Sequence, residues 1–217
     1  MEISSERLAY WFLRLNGFMT TYNFIVHPEE VDWSGGFPQQ TDVDVMGVRF
    51  PYRQENRRRP MRDHPCFQGD ERVQFVLAEA KSARCGLNDS WRQPQRENMQ
   101  KALSASGVLP PGEVEDAAAS LYRTGEWTNG VVWVRWLFFG TAPNKTLKGE
   151  FPNVPQFTWD RAVLPFIFQR FQEYQLEKRA HGQWDDDAKG LFSTAIDSVG
   201  NVEQFVQQVR VVDPAAA

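Results

Sequence analysis

The sequence predicts an α/β fold: a mixed central β-sheet flanked by helices, with further helices added at the C-terminus. Three observations carry that prediction. Residues 73–82 (Val-Gln-Phe-Val-Leu-Ala-Glu-Ala-Lys-Ser) are a short apolar run between polar segments, the pattern of a buried strand. Residues 131–139 (Val-Val-Trp-Val-Arg-Trp-Leu-Phe-Phe) are the most apolar segment and read as a central strand buried on both faces, Arg135 excepted. Around these runs apolar residues recur at helical spacing, as at Leu8, Trp11, Phe12 and Leu15.

In chain order, Ser4 or Ser5 can cap a first helix, with Glu6 in its first turn and Gly17 at its end. Residues 20–26 alternate as a strand. A polar, glycine-containing loop follows at 29–40. Residues 41–50 read as a second strand, with Asp42 and Asp44 on one face and Val43 and Val45 on the other. Asp is a poor strand former, so an acidic pair there is unusual. Residues 52–70 form an irregular basic insertion with Arg53, Arg57, Arg58, Arg59 and Arg62. Helices are expected at 98–105 and 113–123, stopped by Gly107 and Gly125. A long helix is expected over 159–178, where Pro165 either kinks it or marks its true start. Further helices are expected at 186–196 and 202–211, before a frayed tail at 213–217.

The chain has 217 residues, enough for one large domain with appendages, and 41% hydrophobic residues with 8 Trp and 16 Phe supply a substantial core. The net charge of −4 excludes a global field that draws in nucleic acid, so any basic surface is local. The opening Met-Glu-Ile-Ser-Ser-Glu lacks the basic and apolar regions of a signal peptide, and no apolar stretch is long enough to span a membrane. A soluble cytoplasmic protein is expected, with Cys66 and Cys85 as free thiols. Trp159-Asp160 and Trp184-Asp185 are too irregularly spaced for propeller blades.

Chemistry concentrates at the end of the 73–82 run. Glu79 and Lys81 are two apart and share a strand face. Charges closing an apolar strand are costly unless paired or bound to an ion. A simple strand-end ion pair would satisfy them. Asp44, on the preceding strand, offers a second carboxylate. Two carboxylates on adjacent strands can bind a hard cation such as Mg²⁺, with the main-chain carbonyl of Ala80 as a third oxygen. Lys81 beside such a cation can orient or deprotonate a water and balance charge on an attacked phosphodiester. Other motifs fall away. The run 140–146 lacks the glycines of a phosphate loop, His64 and Cys66 have no second ligand pair at zinc spacing, and there is no Gly-x-Ser-x-Gly elbow.

The combined pattern over residues 6–139 resembles the restriction-endonuclease-like superfamily, the PD-(D/E)xK nucleases. Its motif layout is closest to small Holliday-junction-resolvase-like nucleases. The opening-helix residues are Glu6, Ala9, Leu13 and Gly17-Phe18. The acidic strand is Asp42-Val43-Asp44, and the motif strand is Glu79-Ala80-Lys81. The resemblance implies a core of αβββαβ order over residues 1–145, carrying the insertion at 52–70, with a helical extension over 146–212 packed on it. It implies a nuclease acting on DNA. Asp44, Glu79 and the Ala80 carbonyl would hold Mg²⁺ (or Mn²⁺ in its place), Lys81 would be the catalytic lysine and Glu6 an accessory acid. Relatives often add a Gln from the following helix, for which Gln95 and Gln100 are candidates. The Arg57-Arg58-Arg59 arm is the best sequence candidate for phosphate contact, although a solvated loop reads equally well. Val43 stands where the family name has Pro. The alternative is a catalytically weak or inactive nuclease-like subunit, or a nucleic-acid-binding partner, of a multi-component system such as a defence system; a homodimer or a partner protein is a separate expectation.

Overall fold

The computed structural model describes residues 1–28, 41–179, 181–182 and 184–213. The loop expected at 29–40 and the tail beyond Asp213 lie outside them. Strand β1 (Glu2–Ser4) leads directly into helix α1 (Ser5–Leu15). The Ser4 hydroxyl accepts the amide of Arg7, one of the donors a helix start leaves unserved. Leu8, Trp11, Phe12 and Leu15 are buried as their spacing requires. Each such side chain removed from water contributes about 1.5–3 kcal/mol. Gly17, at φ +84°, turns the chain out of the helix.

Strands β2 (Met19–Val26), β3 (Thr41–Arg49) and β4 (Val73–Ala80) are consecutive antiparallel neighbours. Helices α2 (Asn98–Ser106) and α3 (Val114–Thr124) then cross the sheet, and after β5 (Glu126–Thr128) the chain enters β6 (Val132–Gly140), parallel to β4. Helix α4 (Lys145–Glu150) precedes β7 (Gln156–Thr158), which lies parallel to the end of β6. A π turn (Trp159–Val163), α5 (Leu164–Glu173), α6 (Gln175–Arg179), α7 (Asp186–Asp197), α8 (Val202–Gln208) and β8 (Arg210–Val212) complete the chain. Strand β8 pairs with β1 as a separate parallel ribbon.

Among the described residues the main sheet runs β2-β3-β4-β6-β5, with β7 also on β6. It is a mixed α/β sheet covered on both faces. Val45, Val76, Ala78 and Ala80 pack with α1, α5, α7 and α8, while Phe75, Leu77, Trp136 and Phe138 pack with α2, α3 and Leu147 of α4. Burial on both faces is why β4 and β6 are nearly continuous apolar runs. The parallel strands β4, β6 and β7 all end on the same edge, at Ala80, Gly140 and Thr158. There the segment after Lys81 passes so close to β6 that a Cβ on Gly140 would lie 2.3 Å from the Cys85 nitrogen.

The C-terminal region differs from expectation in two ways. It is not purely helical, because β7 extends the main sheet and β8 pairs with β1. The helix expected over 159–178 is also divided, as a π turn, α5 and α6. Pro165 falls in the first turn of α5, directly after the π turn. Likewise the helix expected over 202–211 ends at Gln208.

Candidate functional site

The last paired rung between β3 and β4 is Val45 opposite Ala78. One step further, Asp44 comes opposite Glu79. Backbone pairing stops there, and a side chain takes over: the Ala80 N–H donates to Asp44 Oδ2 at 2.7 Å. Lys81 continues past the strand end, held by its N–H to the Phe139 carbonyl at 3.1 Å. Its Nζ lies 2.8 Å from Glu79 Oε2 and 3.5 Å from Asp44 Oδ2. The three side chains expected to cooperate therefore meet at the C-terminal end of β4.

Two further elements close on this motif. From the start of α1, Ser5 Oγ donates to the Ala80 carbonyl at 3.3 Å, which places Glu6 in the first helical turn beside the cluster. From the end of β7, Trp159 Nε1 donates to the Lys81 carbonyl at 3.0 Å. Sequence reasoning had no signal for Trp159. Ser5 was legible only as a possible cap, a role that Ser4 takes.

Asp44 is 4% exposed and Glu79 fully buried. Among the described residues, Glu79 Oε2 meets the Lys81 ammonium at 2.8 Å and Oε1 has no partner. One cation thus faces two buried carboxylates, with Glu6 and Asp42 close enough to add to the negative field. Burial, and then Asp44, push Glu79 well above the usual carboxylate range. Burial also raises Asp44, against the opposing pull of the Lys81 ammonium and the Ala80 amide. Glu6 is pushed up to about 7, first by burial and then by Asp44 and Asp42. Burial disfavours the Lys81 ammonium, yet Glu79 and Asp44 outweigh it and hold its pKa above the ordinary value.

No family model, curated protein or solved structure matches the chain.

Among the described residues, no group of three or more His, Cys, Asp and Glu side chains is arranged to hold a metal ion by itself. The donor set nevertheless fits a hard cation of the Mg²⁺ type. Such ions take one or two carboxylates and fill the remaining positions with water and substrate oxygens. The orphaned Glu79 Oε1 and the Ala80 carbonyl of β4, with the Asp44 carboxylate of the adjacent β3, are oxygen donors in excess negative charge.

The other expected site residues lie elsewhere. Arg49 closes β3 five residues from Asp44, about 17 Å along the strand. At that far end Arg49 Nη2 donates to Asp63 Oδ2 at 2.8 Å, and Arg53 and Arg170 reach Oδ1 of the same carboxylate. The arginine arm belongs to this end. Arg59 donates to the Glu173 carbonyl at 2.8 Å and lies over the Tyr174 ring, while Arg57 and Arg58 are exposed. Gln100 donates to Glu115 of α3 at 3.3 Å and Gln95 is exposed; neither touches the cluster. His64, set aside as a zinc ligand, is half-buried against Phe12, Phe67, Phe157 and Phe166, and burial lowers its pKa.

Proposed function

We propose that this chain is a divalent-cation-dependent nuclease of the restriction-endonuclease-like type, hydrolysing phosphodiester bonds in DNA. One observation carries the proposal. The Lys81 ammonium lies within 3.5 Å of both the Asp44 and the Glu79 carboxylates at the end of a buried strand, with a Glu79 oxygen unserved. The order of elements supports it. A helix precedes three antiparallel strands, and a helical crossover then returns the chain to β6 beside β4, as the αβββαβ order requires.

Asp44, Glu79 and the Ala80 carbonyl would hold the cation. When bound, it would acidify a water and offset charge on the attacked phosphate. Lys81 is kept as an ammonium by its two carboxylate neighbours, so its part is to donate to a phosphate oxygen and to stabilise developing negative charge. Glu6, with a pKa near neutrality, is suited to accept a proton from the attacking water. Ser5 and Trp159 fix the main chain on either side of the motif, which holds these groups in one geometry.

The test is incubation of the purified chain with linear, circular and branched DNA in Mg²⁺ or Mn²⁺, beside Asp44→Ala and Lys81→Ala. Cleavage that needs the cation and is lost in both variants is expected. Cleavage surviving both substitutions refutes the site. An absence of cleavage together with no Mn²⁺ heat in titration calorimetry turns the reading to a nuclease-like binding subunit.

A further inference from the structure

A groove of about 620 Å³ follows α5 along the surface. Arg161, Gln169 and Arg170 line its helical wall, and Arg62, His64 and Gln68 its loop wall. The groove has a direction. Its near end begins two residues after Trp159, whose indole holds the Lys81 carbonyl. Its far end is Tyr174, on which Arg59 of the basic arm lies. From Arg161 to Tyr174 the helical path covers about 20 Å. The groove therefore runs along α5 from the helical turn that follows Trp159 to the ring on which Arg59 lies.

Its charges are unequally served. The Asp63 carboxylate already takes Arg49, Arg53 and Arg170, and Glu55 takes Arg53 and Lys178. The inner cations have used up these acids. Arg62 in the lining, and Arg57 and Arg58 in the arm that precedes it, have exposed side chains, and none of these forms an ion pair or hydrogen bond among the described residues. Among the described residues Arg161 pairs only with Asp160, at 3.8 Å, and its side chain is 87% exposed. The Glu173 carboxylate is the acid that remains in the lining. A row of unserved guanidiniums along a groove suits a row of phosphates, which they bind through paired N–H donors. A compact anion would need only one of them.

We infer that the groove is a track for the phosphodiester backbone of a nucleic-acid strand, held by Arg62 and Arg161 along its length and by Arg57 and Arg58 at its far end. The nuclease reading bears only on what happens to the strand at the near end; binding does not require it.

The experiment is fluorescence anisotropy with fluorescein-labelled 20-nucleotide single-stranded DNA and its duplex, in EDTA, over a range of salt. Wild type is expected to bind with an affinity that falls linearly on logarithmic axes. Each lost phosphate contact removes about 0.7–0.9 from that slope, so Arg62→Ala/Arg161→Ala should lower it by roughly 1.5. Arg123→Ala/Lys189→Ala removes the same charge from outside the groove and should keep the wild-type slope. An unchanged slope in the groove variant, an equal loss in the control variant, or no binding by wild type overturns the track. Groove-dependent binding without cleavage in Mg²⁺ supports the track and removes the nuclease reading. Cleavage with unaltered binding by the groove variant does the reverse.

Discussion

The indole N–H of Trp159 donates to the main-chain carbonyl of Lys81 at 3.0 Å, across 78 residues of sequence. Its ring stacks on Phe139 of β6 at 5.6 Å. The C-terminal third of the chain thus clamps the exit of the strand that carries the candidate chemistry. It is part of the site's support rather than an appendage.

Trp159→Phe keeps most of the stacked ring and removes the donor. Leaving the Lys81 carbonyl without its partner should cost about 1–3 kcal/mol. Trp159→Ala, which also empties a buried aromatic position, should cost about 3–5 kcal/mol. Urea denaturation of the two variants reads the difference. Full stability in Trp159→Phe would show that the hydrogen bond contributes nothing.

The carboxylate cluster sets a pH dependence whose sign follows from the direction of its shifts. Glu6 and Glu79 start from an ordinary value of 4.5 and are raised in the fold, Glu6 to about 7 and Glu79 to about 8. Between pH 4.5 and about 8 the folded state then holds more protons than the unfolded one. The contribution of these two groups to stability in EDTA is therefore fully present below the lower limit and is lost as pH rises through this window. Glu79→Gln should flatten the fall, and Mg²⁺ should raise the melting temperature of wild type more at the alkaline end than at the acid end. Parallel melting curves for wild type and Glu79→Gln across this range would count against the cluster as the source.

At the opposite end of α1, Asp63 accepts from Arg49 at 2.8 Å, Arg53 at 3.2 Å and Arg170 at 3.3 Å. Asp63→Ala would leave three guanidiniums around an empty position, Arg49 and Arg170 both buried. The expected loss is about 3–5 kcal/mol in urea denaturation. Arg170→Met removes a charge instead of stranding several, and should cost less. A loss below about 1 kcal/mol for Asp63→Ala would mean that water already screens this network.

Much of the sheet and its first helix is legible in the sequence. The long strands β4 and β6 and the helices α1, α3 and α7 announce themselves, because each carries its own periodicity and its own stops. The three-residue strands β1, β5, β7 and β8 were not legible. They exist because distant partners offer them a ladder, as Arg210–Val212 does for Glu2–Ser4. Helix α4 begins at the Asn144 cap, inside a run whose composition reads as loop. The division of the 159–178 helix also depends on context, since β7 and the Lys81 carbonyl hold Trp159 before α5 can start.

For the candidate site, the sequence by itself determined which residues carry charge on buried strands. A strand has a side-chain period of two, so Glu79 and Lys81 had to share a face, and Asp44 had to lie opposite its two flanking valines. Only the tertiary structure decided that Asp44 and Glu79 meet, because that depends on the antiparallel register of strands 25 residues apart at their nearest rung, Arg49 opposite Gln74, and on backbone pairing ceasing after Val45 opposite Ala78. It also decided that Glu79 is buried with an oxygen unserved, that Trp159 closes on Lys81, and that the arginine arm stands at the far end of a groove rather than over the carboxylates. Burial and proximity are set by packing of the whole chain, and these two quantities turn an acidic strand and a charged strand end into one electrostatic unit.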